Sequence, residues 1–434
     1  MAADLHLPRQ LPGAYKTLTA ECHCRSVHFR VTVPTSALPL PVHLCHCSIC
    51  RFTHGSLCCF HAPLPKGIEP EFIAPSSLES SVTGYIHSPQ AASERFFCST
   101  CGCHIGDRDV KPDPETGKPE WRVATSIFAA HGEDTFQIRS HWMSDAATEP
   151  NLSTWLPAIN SRPVHVHNPR PDDPNFPLAA AAGRQAAKPE GLPDGNDVLL
   201  AQCHCGGVRF TIPRPSAEEV ADPFLSRFLR PSPTPSTTTI TTEFRSKTES
   251  QSENGPCTRL TGQPTLKRVA TICLCRDCRL TTGTHAVAWT AAPLRSLSPP
   301  IPPSLQGGLG MDGTMTTLKS YRSSERVRRG FCGVCGATAL YALDDDDWVA
   351  PRSESEEEEK RVVEIAVGIL RGSSSDDSVV AVEGWLAWRT GRLAGLETGR
   401  EFDPGFADAL AEGLREWGVK RHGESVSFDI PQEQ

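Results

Sequence analysis

The sequence predicts a mainly β protein built from two tandem copies of one cysteine-rich domain. Segments such as Val27–Val33 and Val208–Ile212 alternate and are rich in β-branched residues, as half-buried strands are. Three cysteine motifs occur twice, in the same order, in the two parts of the chain. Helical periodicity is clear only near the C-terminus. We therefore expect small β-sheets that carry the cysteines at turns between strands.

Internal repetition is the strongest of these signals. The first motif is Cys-x-Cys, the second is Cys-x-Cys-x-x-Cys-Arg, and the third is Phe-Cys-x-x-Cys-Gly. The motifs lie at 22–24, 45–51 and 97–102 in the first copy and at 203–205, 273–279 and 331–336 in the second. The predicted organisation is a first domain at 18–160, a linker at 161–197, a second domain at 198–395 and a C-terminal tail at 396–434.

The regions outside the motifs differ in composition. The linker is rich in proline and alanine. An insertion in the second copy, at about 215–264, is rich in serine, threonine and proline, so we expect a disordered surface loop. A further insertion carries the acidic runs Asp344–Asp347 and Glu356–Glu359 and is expected to be a solvated loop. In the tail, Pro404–Trp417 has amphipathic helical spacing and is expected to pack on the second domain.

Composition limits the possible functions. The 434 residues are enough for two domains with cores of their own. A formal net charge of -8 and the lack of a basic stripe argue against direct nucleic-acid binding. Without a secretory signal or a long apolar run, we expect no membrane span and an intracellular location, cytoplasmic or nuclear. In a reducing compartment the 18 cysteines are better explained as metal ligands than as disulfides.

The matched cysteines of each copy divide into four and three. Zinc prefers thiolates, and four of them form a closed structural site, whereas three leave a position for water or a substrate thiol. The spacing alone does not decide which pairs join. The middle motif is the natural open site, and the first and last motifs would then form the closed site. We expect up to two zinc ions per domain.

In this order, the three motifs resemble those of the glutathione-dependent formaldehyde-activating enzyme family, also called the centromere protein V family. The resemblance covers both copies, about 18–160 and 198–395, and implies a β-tent type of fold with small sheets around zinc. The structural zinc that it implies is held by Cys22, Cys24, Cys98 and Cys101, and in the second copy by Cys203, Cys205, Cys332 and Cys335. The second zinc that it implies is held by the triads Cys45, Cys47 and Cys50, and Cys273, Cys275 and Cys278.

The resemblance also implies a chemistry. In the family, the second zinc is tied to glutathione and formaldehyde, which condense to S-hydroxymethylglutathione. The expected function is therefore a zinc-dependent carbon–sulfur lyase for thiol–aldehyde adducts, with a glutathione-like thiol and an aldehyde as partners and the triads as the best candidates for the catalytic centre. An open zinc position lowers the pKa of a bound thiol, which suits this reaction. The alternative is a non-catalytic zinc module for protein or chromatin contacts.

Several residues near the triads have more than one interpretation. His46, His54 and His285 are candidates for a protein ligand that would close a triad. Arg51 and Arg279 either bind a glutathione carboxylate or form structural salt bridges. Histidines inside the motifs are expected to be exposed spacers. Four cysteines without a counterpart in the other copy are expected to be buried free thiols or exposed loop residues, namely Cys58, Cys59, Cys103 and Cys257. Cys103 is also an alternative zinc ligand.

The two copies differ at positions that bear on activity. The first copy has Arg25 where the family prefers the glycine seen at Gly206, so this turn is expected to differ. Near its end the first copy has His141 before a tryptophan, whereas the apparent equivalent in the second copy is Gly384. The functional prediction is therefore better supported in the first copy.

Overall fold

The computed structural model of the chain describes residues 14–129, 131–147, 150–169, 198–235, 264–302, 315–343, 361–371 and 384–427. The described residues are mostly strands in several sheets with few helices, which confirms the mainly β prediction. We call residues 14–169 the first half and residues 198–427 the second half. Among the described residues, no helix has an apolar stretch long enough to cross a membrane.

The first half contains one large sheet and two small ones. Its strands are β1 (Tyr15–Glu21), β2 (His28–Pro34), β3 (Leu40–Cys45), β4 (Cys59–Pro63), β5 (Glu71–Phe72), β6 (Val82–Tyr85), β7 (Ser93–Cys98), β8 (His104–Asp109), β9 (Trp121–Ala124), β10 (Phe136–Trp142), β11 (Ala158–Ile159), β12 (Arg162–Pro163) and β13 (His165–His167). The large sheet has the order β13-β10-β3-β4-β9-β8-β7-β6, and β1-β2-β5 and β11-β12 form the small sheets. The predicted strand at 27–33 is β2, in which Phe29, Val31 and Val33 are buried.

The second half has a similar set of strands. They are β14 (Val198–Gln202), β15 (Arg209–Pro213), β16 (Leu229–Pro235), β17 (Pro264–Cys273), β18 (Val287–Pro293), β19 (Leu318–Arg322), β20 (Val327–Cys332), β21 (Thr338–Leu343), β22 (Val362–Ala366), β23 (Leu370–Arg371) and β24 (Leu386–Trp388). The large sheet has the order β16-β17-β18-β22-β21-β20-β19, and β24 also pairs with β17. A small sheet has the order β15-β14-β23.

The large sheets of the two halves share one strand order. The series β3-β4-β9-β8-β7-β6 in the first half parallels β17-β18-β22-β21-β20-β19 in the second. Beside it, β10 runs parallel to β3 and β24 runs parallel to β17. The three cysteine motifs therefore fall at matching strand ends in both halves.

Short helices interrupt the strands. They are α1 (Ser48–His54), α2 (Leu78–Ser81), α3 (Leu152–Trp155), α4 (Ala217–Ala221), α5 (Arg276–Thr282), α6 (Leu396–Phe402) and α7 (Pro404–His422). Helices α1 and α5 occupy matching positions and end at glycines in the left-handed region, Gly55 with φ 71° and Gly283 with φ 74°. Glycine adopts this conformation without the steric cost that a Cβ brings.

Part of the predicted disordered insertion is folded, so this prediction was wrong for residues 215–235. Helix α4 begins at a capping box in which Ser216 and Glu219 exchange hydrogen bonds. The buried carboxylate of Glu219 also pairs with Arg268 at 2.8 Å. Serine and proline dominate only the later part of the insertion, whereas the earlier part supplies apolar residues that are buried, such as Leu225 and Phe228. The rest of the insertion, 236–263, lies outside the described residues.

The other low-complexity segments are only partly described. Residues 161–169, at the start of the predicted linker, form β12 and β13, and β13 pairs with β10 in the large sheet. The remainder of the linker, 170–197, and both acidic runs of the second insertion lie outside the described residues.

The C-terminal helix α7 packs on both halves, whereas the sequence predicts packing on the second domain alone. Trp155 of the first half is fully buried, with its ring centroid 4.7 Å from that of Trp388 and 6.0 Å from that of Trp417 on α7. Phe406 and Leu410 of α7 are also buried in the core. A single hydrophobic core therefore extends across the halves and the helix.

Candidate metal centres

The first and third motifs of the first half bring four thiols together. Cys22 and Cys24 follow β1, and Cys98 ends β7 just before Cys101. The four Sγ atoms lie within 4.8 Å of one another, and Cys24 Sγ is 3.5 Å from both Cys22 Sγ and Cys98 Sγ. The amide of Val27 donates to Cys22 Sγ at 3.4 Å.

The second half repeats this arrangement with Cys203, Cys205, Cys332 and Cys335. Cys205 Sγ lies 3.6 Å from Cys203 Sγ and 3.4 Å from Cys332 Sγ. The amide of Val208 donates to Cys203 Sγ at 3.3 Å. The family resemblance implies these two groupings, and the chain brings both together.

The turn of the first motif is the same in both halves. Arg25 has φ 61° and Gly206 has φ 78°, so both lie in the left-handed region. Their amides donate to the carbonyls of Cys22 and Cys203, respectively. The expectation that Arg25 changes this turn was wrong, because the arginine adopts the conformation that glycine prefers.

The two triads are also assembled. The Sγ atoms of Cys45, Cys47 and Cys50 lie within 4.8 Å of one another, as do those of Cys273, Cys275 and Cys278. The capping cysteines, Cys47 of α1 and Cys275 of α5, accept from the amides of the third cysteines at 3.4 Å. A sulfur that caps a helix N-terminus faces the positive end of its dipole, which favours the thiolate.

A buried arginine lies beside the third cysteine of each triad. Arg95 Nη2 is 3.9 Å from Cys50 Sγ, and Arg329 Nη1 is 3.5 Å from Cys278 Sγ. Hydrogen bonds from the other triad thiols, together with this arginine, hold the pKa of Cys50 and that of Cys278 well below the usual thiol range. Sequence reasoning missed both arginines, although each stands three residues before the first cysteine of the third motif.

The donor sets fit zinc. Thiolates are the ligands that zinc prefers, and four of them make the closed tetrahedron of a structural site. Groups of four and three thiols, with no disulfide among the described cysteines, provide such donors in each half. The residues that would hold the ions are those of the four-thiol groups and of the triads.

The histidines considered as triad ligands have other neighbours. His46 is fully buried, with Nε2 2.9 Å from His141 Nδ1. His54 Nδ1 lies 2.9 Å from the carbonyl oxygen of Cys50 and its ring stacks on His104. Histidines inside the motifs are not exposed spacers, because His46 is buried and the others make contacts between the halves.

His285 lies in a different cluster. Its Nδ1 is 3.5 Å from Asp403 Oδ2, and His131 Nδ1 is 3.2 Å from the same oxygen. The other oxygen of Asp403 caps α7 by accepting from the Phe406 amide. These three side chains could hold a metal ion by their spacing. They also join the first half, the second half and α7 at one buried point.

Arg51 and Arg279 have structural surroundings. Arg51 is buried, with its guanidinium 5.0 Å from the ring of Phe52, and burial lowers its pKa to about 10. Arg279 donates to the carbonyl of Ser126 in the other half and lies 3.7 Å over the ring of Phe402. Neither arginine forms a salt bridge within the part of the chain that the structure describes, and Arg51 Nε and Nη2 are buried without a hydrogen-bond partner there, so the structural salt bridge considered from the sequence is not formed.

The equivalent of His141 in the second half is Leu393, not Gly384. Trp142 pairs with Cys45, and Ala394 forms a bridge with Cys273 at the matching position. The residues preceding these two are His141 and Leu393, and Leu393 is buried. The position of His46 is likewise taken by a buried leucine in the second half, so an apolar pair replaces a polar one.

These sheets and thiol groups define a mainly β protein with sites suited to zinc. Residues 17–141 match the family described as glutathione-dependent formaldehyde-activating enzyme. A Halomonas elongata protein provisionally named a glutathione-dependent formaldehyde-activating enzyme is 34% identical over 114 residues, which are 26% of this chain. The chain spans 64% of the length of that relative. The chain thus contains one domain similar to this family, which includes the first four-thiol group and the first triad.

Proposed function

We propose that this chain is a zinc-dependent carbon–sulfur lyase that acts on thiol–aldehyde adducts of the S-hydroxymethylglutathione type. The observation that carries the proposal is a three-thiol group, separate from a four-thiol group, with a buried arginine at its third cysteine. The family match of residues 17–141 supports the same substrate class.

The two kinds of thiol group have different roles in this proposal. The four-thiol groups hold structural zinc, because four thiolates complete its shell. Each triad holds a second zinc, and a triad that supplies only three protein ligands leaves a position for substrate. The intact chain then binds up to four zinc ions, one at each of the four cysteine groups.

A second domain of the same family in residues 198–395 is part of the proposal. The shared order of the large sheets supports it, as do the matching capped helices α1 and α5. The paired arginines beside the triads add a further match, because a duplicated domain keeps both the thiols and the charge beside them.

In the proposed reaction, residues of the chain stabilise thiolates beside the zinc. When zinc is bound, it lowers the pKa of a substrate thiol. Arg329 holds positive charge beside Cys278, and the Cys278 amide donates to Cys275, so both groups stabilise thiolates. In adduct formation, the substrate sulfur bonds to the aldehyde carbon and the thiol proton moves to the carbonyl oxygen. The lyase direction breaks this carbon–sulfur bond and returns the proton to sulfur.

A non-catalytic zinc module is the second candidate, and burial of the triads favours it. Cys47 and Cys50 are 5% and 8% exposed in the first triad, and Cys273 and Cys278 are 9% and 4% exposed in the second. A substrate thiol needs access to the metal. A fully enclosed triad would support the fold or a protein contact rather than turnover.

Zinc content and turnover together test the proposal. We expect close to four zinc ions per chain and faster formation and breakdown of S-hydroxymethylglutathione than the spontaneous rates. Cys47→Ser and Cys275→Ser, measured separately, should each lower the zinc content and reveal which triad supports turnover. Cys103→Ser is the matched control, since this buried thiol contacts the His104 carbonyl and belongs to neither group. A zinc-loaded protein that leaves both rates unchanged would eliminate the lyase.

A further inference from the structure

We propose that Cys59 is the fourth thiolate of the first triad, which makes Cys45, Cys47, Cys50 and Cys59 a closed four-thiolate site. The second triad keeps three thiols and the open position. The inference concerns the residues of this chain that would hold the metal, and its consequence for turnover rests on the proposed function.

The sheet register places Cys59 opposite a triad cysteine. Cys45 ends β3, Cys59 begins β4, and the two residues are direct partners in the antiparallel pair. Side chains of direct partners project from the same face, with Cβ atoms about 4.5–5.5 Å apart. The pairing therefore turns both thiols toward the same side of the sheet.

The packing puts Cys59 in the same cluster as the triad. Cys59 is 3% exposed and packs with Cys47 and Cys50, and Cys45 lies against this cluster. Its thiol interacts with those of Cys45 and Cys50. Its Sγ is not among the triad sulfurs that all lie within 4.8 Å of one another, so ligation requires a small movement of the Cys59 side chain. A buried thiol beside three metal-binding thiols is well placed to become a ligand, because zinc binding needs only its proton to be lost.

The neighbouring thiol serves as an internal comparison. Cys58 is equally buried, but it packs in the main hydrophobic core rather than in the triad cluster. Successive strand residues point to opposite faces, so only one of the two adjacent cysteines faces the triad. The sequence expectation that Cys59 is a free thiol is therefore replaced by a ligand role, while Cys58 remains a core thiol.

The second half lacks this thiol. The partner of Cys273 across the matching strand pair is Val287, which is buried in the core. A valine provides no donor, so the triad of Cys273, Cys275 and Cys278 has three sulfurs. Three protein ligands leave a position for an exchangeable ligand, which is the arrangement of a catalytic zinc. The proposed lyase centre is then in the second half, whereas the sequence-based prediction favours the first copy, which also carries the family match.

Cobalt substitution tests the ligand count without measuring turnover. Co²⁺ replaces zinc, and its thiolate-to-metal absorption reports the number of bound sulfurs. Cys59→Val introduces the residue found at the matching position of the second half, Val287. We expect this variant to lower the absorption by the amount that one thiolate contributes. The same variant should lose one zinc ion to a competing chelator about tenfold faster or more. Mutation of a residue that only contacts a metal ligand already lowers metal affinity about tenfold, and Cys59 is proposed to be a ligand itself. Cys58→Val is the control and should change neither quantity.

The reciprocal variant adds the missing thiol. Val287→Cys should raise the thiolate absorption by one sulfur and abolish turnover, because it closes the second triad. Unchanged absorption in both Cys59→Val and Val287→Cys would overturn the ligand assignment. If the absorption changes as expected but the parent protein has no turnover, the ligand assignment stands and the lyase proposal fails. The two proposals are thereby separable.

Discussion

Tyr321 of the second half is hydrogen-bonded to His23 of the first half, with 2.8 Å between Oη and Nδ1. The other ring nitrogen of His23 lies 3.3 Å from Asp277, beside the second triad. The relationship is reciprocal, because Tyr85 of the first half makes the same 2.8 Å contact with His204 of the second. Each half thus holds the histidine between the first two cysteines of the other half.

Removal of these hydroxyls should weaken the contact between the halves. We expect Tyr321→Phe and Tyr85→Phe each to lower the free energy of unfolding by about 1 kcal/mol, the usual value of a hydrogen bond. The two tyrosines bond different histidines and share no partner, so the double variant should show the sum. Urea unfolding checks this, with the exposed Tyr15→Phe as the control. No effect in either variant would mean that the contacts do not stabilise the fold.

Docking of α7 depends on the small size of Gly413. A methyl at this position would overlap the carbonyl oxygen of Trp155. Glycine to alanine in a free helix stabilises by about 1 kcal/mol, so a loss of stability in Gly413→Ala would have to come from the contact. We expect such a loss, together with greater exposure of Trp155 and Trp417 in tryptophan fluorescence. Gly384→Ala, where the added methyl meets no atom within 4 Å, is the control.

The sequence predicts the local features of this protein and misses those that depend on pairing between distant segments. The four-thiol groups and triads follow from motif spacing and family resemblance, because each motif is local and repeated. The role of Cys59 depends on which residue faces Cys45 across two strands, and the contact of Arg329 with Cys278 depends on how β20 approaches α5. Neither relation produces a periodic pattern in the sequence. The arginine that precedes the third motif in both copies is a sequence feature that could have pointed to the contact with the triad.

The arginine beside the second triad should set the pH at which zinc is released. Arg329 stabilises the Cys278 thiolate, so its removal raises the pKa of that thiol and lets protons displace the metal more easily. In Arg329→Gln we expect half-release of the affected zinc at a pH about one unit higher. A chromogenic chelator followed during acidification measures this. The exposed Arg326→Gln is the control, and identical release curves would contradict the role assigned to Arg329.

The left-handed conformation of Arg25 predicts a stabilising change. A non-glycine residue in this left-handed region costs roughly 1–2 kcal/mol of stability, and glycine avoids this steric cost. Glycine also increases the conformational entropy of the unfolded chain, which cancels part of the gain. The exposed ion pair of Arg25 with Glu21, at 3.7 Å, adds little. Arg25→Gly should therefore raise the melting temperature slightly and keep zinc content unchanged. Arg25→Ala should not raise it, because alanine keeps the Cβ.

The cluster of His131, His285 and Asp403 should make the fold sensitive to mild acid. Burial lowers the pKa of His285 to about 4, below the usual histidine value of about 6.5, so the unfolded chain binds more protons between these limits. Stability contributed by neutral His285 is therefore lost as pH falls from about 6.5 toward 4. Burial acts to raise the pKa of Asp403, but the neighbouring His131 and His285 hold that pKa below its usual range, so this carboxylate is protonated only at lower pH.

Urea unfolding at pH 7 and pH 5.5, with zinc content checked at both, isolates the contribution of His285. Its share of the acid-induced loss over this interval is about 1 kcal/mol. We expect His285→Leu, which introduces the residue found at the matching position 57, to be less stable at pH 7 and to depend less on pH by that amount. The exposed His165→Leu should keep the pH dependence of the parent protein. An equal pH dependence in His285→Leu and the parent would mean that His285 does not titrate on unfolding, so the cluster would hold the halves and α7 together without sensing pH.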